Sequence, residues 1–123
     1  MPNFLKSFFK ETKRIQNAFL YSFDGLKAII SSEAAFRDEL FLCLVLFPSI
    51  FFIDCTTIEK ILLFFSVFFV LFAEIVNTMT EVTIDRISSA KHPLSKKAKD
   101  MGSLIVLLSF LNLLLTWGTV LLS

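Results

Sequence analysis

An all-α membrane protein is the fold class this sequence predicts, with three transmembrane helices behind an N-terminal amphipathic surface helix. Three observations predict it. The 123 residues are 55% hydrophobic with 16 Phe, and the mean hydropathy is +0.75, too apolar for one small soluble domain. Residues 101–123 carry no charged side chain, and at about 1.5 Å per residue such a helix crosses the roughly 30 Å of bilayer hydrocarbon. The 12 Lys and Arg are segregated along the chain although the net charge is only +1. Lys6, Lys10, Lys13, Arg14, Lys27 and Arg37 precede the apolar runs, and Arg86, Lys91, Lys96, Lys97 and Lys99 lie between the last two. Only Lys60 occupies the other connection.

Residues 1–32 read as a helix lying in the membrane interface. Phe4, Phe8, Ile15, Phe19, Leu26 and Ile30 fall on one face, flanked by Leu5, Phe9 and Phe23, with Lys6, Lys10, Lys13 and Arg14 away from that stripe or at its margins. Such a pattern seats its rings at the acyl boundary. Its basic residues taken alone say no more than lipid anchor. Gly25 is a position at which the helix is expected to break or bend, and the Ser31-Ser32 pair is expected to cap a new helix carrying Glu33. No cleavable signal is expected, because residues 1–30 are charged throughout and lack a continuous apolar region.

The first span is the least clean. Leu40–Ile53 is apolar but short and contains Pro48, so it crosses only by borrowing neighbours, over about residues 34–58. Arg37, Asp38 and Glu39 would then sit at the interface, where long or hydrated side chains are tolerated. Residues 61–84 form the second span, with Glu74 and Glu81 as its only charges. The segment 86–100 is a cytoplasmic loop and helix start: Pro93 forces His92 to be extended, and Ser95 is a plausible cap for the third membrane helix, which crosses over 101–122. The positive-inside rule puts the N-terminus and this loop in the cytoplasm. Cys43 and Cys55 fall at different depths, so no disulfide joins them within one chain, and neither has His or Cys neighbours at ligand spacing.

Function is to be sought on the second span. Glu74, Asn77, Glu81 and Asp85 share one helical stripe, because steps of seven and eleven residues return to within about 20° of the start. A carboxylate at membrane depth costs roughly 3 kcal/mol or more unless it faces protein or water. Three helices cannot wall off such a layer, so an oligomer with sites shared between subunits follows. Lys99 and Asp100 start the last helix at the level of Glu81 and Asp85, where a snorkelling lysine paired with an aspartate is the plainer account. Together, carboxylates and a lysine beside a basic loop suit metal-bound polyphosphate from the water side and a lipid headgroup from the membrane side. Phosphoryl transfer needs chiefly positioning, metal charge and a proton acceptor. There is no Walker A motif or Gly-rich loop, and only three Gly in all, so the soluble kinase apparatus is excluded.

The combination E-x-x-N-T-x-x-E-x-x-x-D from Glu74 to Asp85, then HPLSKKAKDMGS, with SEAAFRDE upstream, resembles the prokaryotic diacylglycerol kinase family. The resemblance runs from about Arg14 to about Trp117. It implies a homotrimeric inner-membrane enzyme that uses Mg2+ and ATP to phosphorylate the primary hydroxyl of diacylglycerol, giving phosphatidic acid, with no nucleic-acid partner. By the same resemblance, Glu74 is the general base and Asn77 orients the reacting groups. Glu33 and Glu81 hold the metal on the ATP phosphates, and Arg14, Tyr21, His92, Lys99 and Asp100 contact the nucleotide. Ser22, Glu39 and Ser103, with Glu74, lie near the lipid. Met79, Thr80 and Ile84 depart from the family pattern at packing positions, and Ala90 and Lys91 replace an acidic-aromatic pair before the loop histidine. Two alternatives stand beside this reading: an undecaprenol kinase of the same fold, and a non-catalytic membrane subunit or channel whose acidic stripe lines an aqueous path.

Overall fold

A computed structural model describes residues 1–123, with four helices as its regular structure: α1 (Asn3–Ser32), α2 (Ala34–Ile50), α3 (Thr57–Ile87) and α4 (Pro93–Leu122). They form two compact units, Met1–Ser32 and Glu33–Ser123. The first unit is α1 alone, strongly amphipathic and with Phe4, Phe8, Phe19 and Phe23 exposed. Contrary to expectation, α1 runs unbroken through Gly25, and Ser31 does not cap the next helix: its Oγ donates back to Ala28 O at 2.9 Å. Glu33 occupies the N-cap position of α2 in extended conformation, and its carboxylate makes no capping bond.

In the second unit, α2 ends eight residues before the expected boundary of the first span. Pro48 lies inside its final turn. Beyond it the chain tightens through three successive i→i+3 bonds, from Phe51 N to Pro48 O, Phe52 N to Ser49 O and Ile53 N to Ile50 O. At 17 residues α2 is about 25 Å long, just under the roughly 20 residues of a standard crossing. The two helices long and apolar enough to cross a membrane are α3 and α4.

The start of α3 is fixed by Thr56 and Glu59. Glu59 N donates to Thr56 Oγ1 at 3.2 Å while Thr56 N donates to Glu59 Oε2 at 2.8 Å, a reciprocal cap that satisfies two otherwise orphaned donors. At the other end α3 continues to Ile87, so the connection shrinks to residues 88–92. His92, not Ser95, caps α4: its Nδ1 accepts from Leu94 N at 3.1 Å, and Pro93 fills the first helical position, where its missing N–H costs nothing.

Both α2 and α4 pack on α3. Cys43, Val67, Val70 and Leu113 form the buried core, with Leu46, Phe47, Phe110 and Trp117 against it. Phe47 lies 5.4 Å from the Phe64 ring and 4.9 Å from that of Phe68, spacings that add to plain apolar burial. Cys43 is buried and Cys55 half-buried, and both are free thiols. Ser66 is buried but satisfied, donating to Leu63 O at 2.7 Å and accepting from Trp117 Nε1 at 3.1 Å. Outside this core, Phe65, Phe68 and Phe72 of α3 and Leu107, Leu111 and Leu114 of α4 are exposed on the protomer. A surface of that kind is stable against acyl chains or another protomer and unstable against water.

Candidate active site

Polar residues gather at the end of the second unit where α3 leaves its apolar core. Because α3 stays regular to Ile87, the stripe Glu74, Asn77, Glu81, Asp85 is continuous, and it turns towards the neighbouring helices. Glu74 is only 6% exposed and Thr78 only 8%. Ala73 and Val70, one and four residues before Glu74 on α3, are fully buried.

From α2 the partner is Glu39, 7% exposed, whose carboxyl hydrogen-bonds that of Glu74. Glu39 is therefore an interior residue, and the expectation of a hydrated place at the interface is corrected. Its helical position explains this: Phe36, Glu39 and Cys43 are the buried residues of the first turns of α2, spaced by three and four residues and so on one face. Glu33, half-buried at the head of α2, and Glu81, half-buried one turn beyond Asn77, both lie close enough to act electrostatically on Glu74. Three further carboxyl groups, from α2, its cap and α3, thus lie within electrostatic reach of Glu74.

From α4 the contact is Gly102, buried against Asn77. A Cβ built at residue 102 would run into Asn77 Oδ1, so any larger residue there would displace the Asn77 amide. Asn77 Oδ1, Thr78 Oγ1 and Glu39 Oε2 are buried with no hydrogen-bond partner. Buried polar atoms are nearly always satisfied, and each exception needs an account. One orphaned oxygen on the carboxyl pair itself and two more on the following turn of α3 fit a place that receives donors from a substrate.

One turn further out, Lys99 of α4 donates from Nζ to Asp85 Oδ1 at 2.8 Å. That hydrogen bond, more than the attraction of Asp85 and Glu81, holds the Lys99 ammonium above the usual lysine range although the group is solvated. Asp100 instead pairs with Lys96 within α4, Nζ to Oδ2 at 2.6 Å. Asp85, Lys96, Lys99, Asp100 and the loop around His92 line a cleft of about 710 Å³ between the end of α3 and the start of α4. Ligand sites commonly fall between roughly 300 and 1,000 Å³. Sequence reasoning gave Asp85 no role beyond membership of the stripe, and passed over Lys96 and Gly102. The i,i+4 spacing of Lys96 and Asp100 was the available signal for Lys96.

No three His, Cys, Asp or Glu side chains of one protomer gather as a metal-ligand set. Magnesium does not require one, since it is typically held by one or two carboxylates together with substrate phosphates and waters. Glu33, with its carboxylate unused in capping, and Glu81 fit that pattern. In the separate unit α1, Arg14 Nε lies 3.4 Å from Glu11 Oε2, Ser22 Oγ donates to Ala18 O at 2.9 Å, and Tyr21 is exposed. Arg14 and Ser22 line a shallow hollow of about 270 Å³ on one face of this helix. Ser103 is exposed beside Gly102.

Comparison with known proteins gives the family of the chain. A sequence model of the family described as prokaryotic diacylglycerol kinase matches residues 20–121. The diacylglycerol kinase of Pseudomonas aeruginosa is 42% identical over 110 residues, covering 89% of each chain. That of Haemophilus influenzae is 41% identical over 105 residues, covering 85% of this chain and 89% of the relative. That of Escherichia coli K12 is 41% identical over 104 residues, 85% of each chain.

Proposed function

The chain belongs to the prokaryotic diacylglycerol kinase family and is a lipid kinase, and from that premise we propose how its own residues carry out the reaction. The transfer moves the γ-phosphoryl group of ATP to the primary hydroxyl of diacylglycerol, forming phosphatidic acid. Glu74 is the general base. What supports this is its position: a carboxyl 6% exposed, preceded on α3 by the buried Val70 and Ala73 and hydrogen-bonded to Glu39. A base must lie within hydrogen-bond reach of the hydroxyl proton it accepts. Diacylglycerol arrives from the acyl side, so its hydroxyl meets Glu74 at the depth where α3 changes from core to polar stripe.

Asn77, held by Gly102 and with its Oδ1 unpartnered, orients the reacting groups. Glu39 braces Glu74 through the carboxyl–carboxyl hydrogen bond and lines the lipid-hydroxyl side, with Ser22 and Ser103 as further lipid contacts. His92, Lys99 and Asp100 take the nucleotide in the cleft at the start of α4; Arg14 and Tyr21 of the surface helix are nucleotide contacts by the family resemblance. Lys99 then exchanges Asp85 for phosphate oxygens. Glu33 and Glu81 would hold the magnesium ion, which when bound would supply charge neutralisation for the transferring group. With the phosphates and the hydroxyl held in line, transfer rests on positioning and electrostatics.

The catalytic unit is a homotrimer with shared sites in the bacterial inner membrane, with three crossings and a cytoplasmic N-terminus. The exposed apolar faces of α3 and α4 and the segregated basic residues support that arrangement. The third crossing is α2 with the tightened turn beyond Ile50. A radiolabelled-phosphate assay in detergent, offering diacylglycerol and undecaprenol separately with and without magnesium, tests the function. Transfer to diacylglycerol that requires magnesium is expected. Preference for the polyprenol, or transfer indifferent to the ion, contradicts the proposal.

A further inference from the structure

Lys96 belongs to none of the roles assigned so far, yet its side chain faces the cleft between α3 and α4. His92, Lys96, Lys99 and Asp100 are spaced by three, four and eight residues, so one face of α4 presents all of them to that space. Lys97, a further 100° around the helix, is exposed and outside the cleft lining. With Lys91, the cleft carries three lysines against two aspartates, Asp85 and Asp100.

Helix energetics do not account for Lys96. It lies in the first turns of α4, where no acidic residue precedes it, and a cation near a helix N-terminus opposes the macrodipole. Its pairing with Asp100 runs in the less favourable order, cation N-terminal to anion. Both side chains are well exposed, 78% and 62%, and exposed pairs of this kind contribute little. The pair is therefore easily exchanged for a stronger anion.

Resting on the lipid-kinase reading of the cleft, we infer that Lys96 is a further nucleotide-contacting residue: it leaves Asp100 for the polyphosphate and sets affinity for ATP without taking part in transfer. Asp100, released, turns to a donor on the nucleotide. A phosphate oxygen bound by lysine makes a charge-assisted bond, stronger than a neutral one.

Steady-state kinetics with ATP varied at saturating diacylglycerol test this. For Lys96→Gln the KM for ATP rises about fivefold to tenfold, with kcat and the KM for diacylglycerol within about twofold. Lys96→Arg restores most of the loss, and Lys97→Gln leaves all three constants unchanged. An unchanged KM for ATP in Lys96→Gln overturns the inference, and so does an equal shift in Lys97→Gln, which reduces the effect to general surface charge. Failure of the underlying reading looks different: Lys99→Gln then also leaves the KM for ATP unaltered, or the unmodified enzyme transfers no phosphate to diacylglycerol.

Discussion

The two halves of α3 treat buried polar groups in opposite ways. In the core half, Ser66 is 1% exposed and has both an acceptor in Leu63 O and a donor in Trp117 Nε1. In the other half, Asn77 Oδ1 and Thr78 Oγ1, with Glu39 Oε2 from α2, are buried and unpartnered beside the Glu74 carboxyl. A satisfied polar contact fastens helices together, whereas orphaned acceptors cost free energy that packing elsewhere must offset. The difference separates the part of the helix whose polar groups fasten α4 in place from the part proposed to receive substrate.

Substitutions sharpen that contrast, and the largest effects among them belong to the two carboxylates proposed to hold the metal. Glu81→Gln and Glu33→Gln are expected to raise the magnesium concentration for half-maximal rate by about tenfold or more; an unaltered magnesium titration removes both from the ion. Gly102→Ala comes next. The added methyl group displaces Asn77, and a misplacement of about 1 Å lowers turnover by roughly tenfold to a hundredfold, measured as kcat in the same detergent. Trp117→Phe, at the satisfied end, removes one hydrogen bond from Ser66. It should lower thermal stability by about 1 kcal/mol while leaving the rate intact, and a loss of rate there would erase the distinction between the two halves.

The smallest effect is the pH response of Lys99. The hydrogen bond it donates to Asp85 raises its ionisation above the ordinary lysine value, so Lys99 keeps its charge in that pair below about pH 10.4. Its contribution fades only as the pH climbs through the raised value. The KM for ATP should consequently stay flat from about pH 7 to pH 9 as far as this residue is concerned. A rise within that interval that vanishes in Lys99→Arg would show that Lys99 loses its proton early.

Much of this was legible in the residues because it repeats along one helix. The stripe from Glu74 to Asp85 follows from 3.6-residue periodicity, and the helix stays regular throughout. The apolar span after Met101 needed only its length. Contacts between helices were not legible in the same way. Nothing within SEAAFRDE says that Glu39 turns inward to Glu74, because that depends on which face of α2 meets α3. Lys99 was expected at the level of Asp85, but its choice of Asp85 and the choice of Lys96 by Asp100 are matters of Ångström-scale reach. Local signals competed where expectation failed. Gly25 is tolerated inside α1, since a lone glycine costs only about 1 kcal/mol in a helix interior. His92 outcompetes Ser95 as cap because Pro93 fixes the first helical position immediately after it. Pro48 ends the regular part of α2 early, in place of a helix drawn out to residue 58.

Of all measurements, turnover and ATP binding followed together on the Glu74→Gln enzyme test most directly whether the buried acid of α3 performs the chemistry. The account predicts that kcat falls by about a hundredfold to ten-thousandfold while the oligomer assembles and ATP binds as before. A Glu74→Gln enzyme that phosphorylates diacylglycerol at the unmodified rate would contradict it.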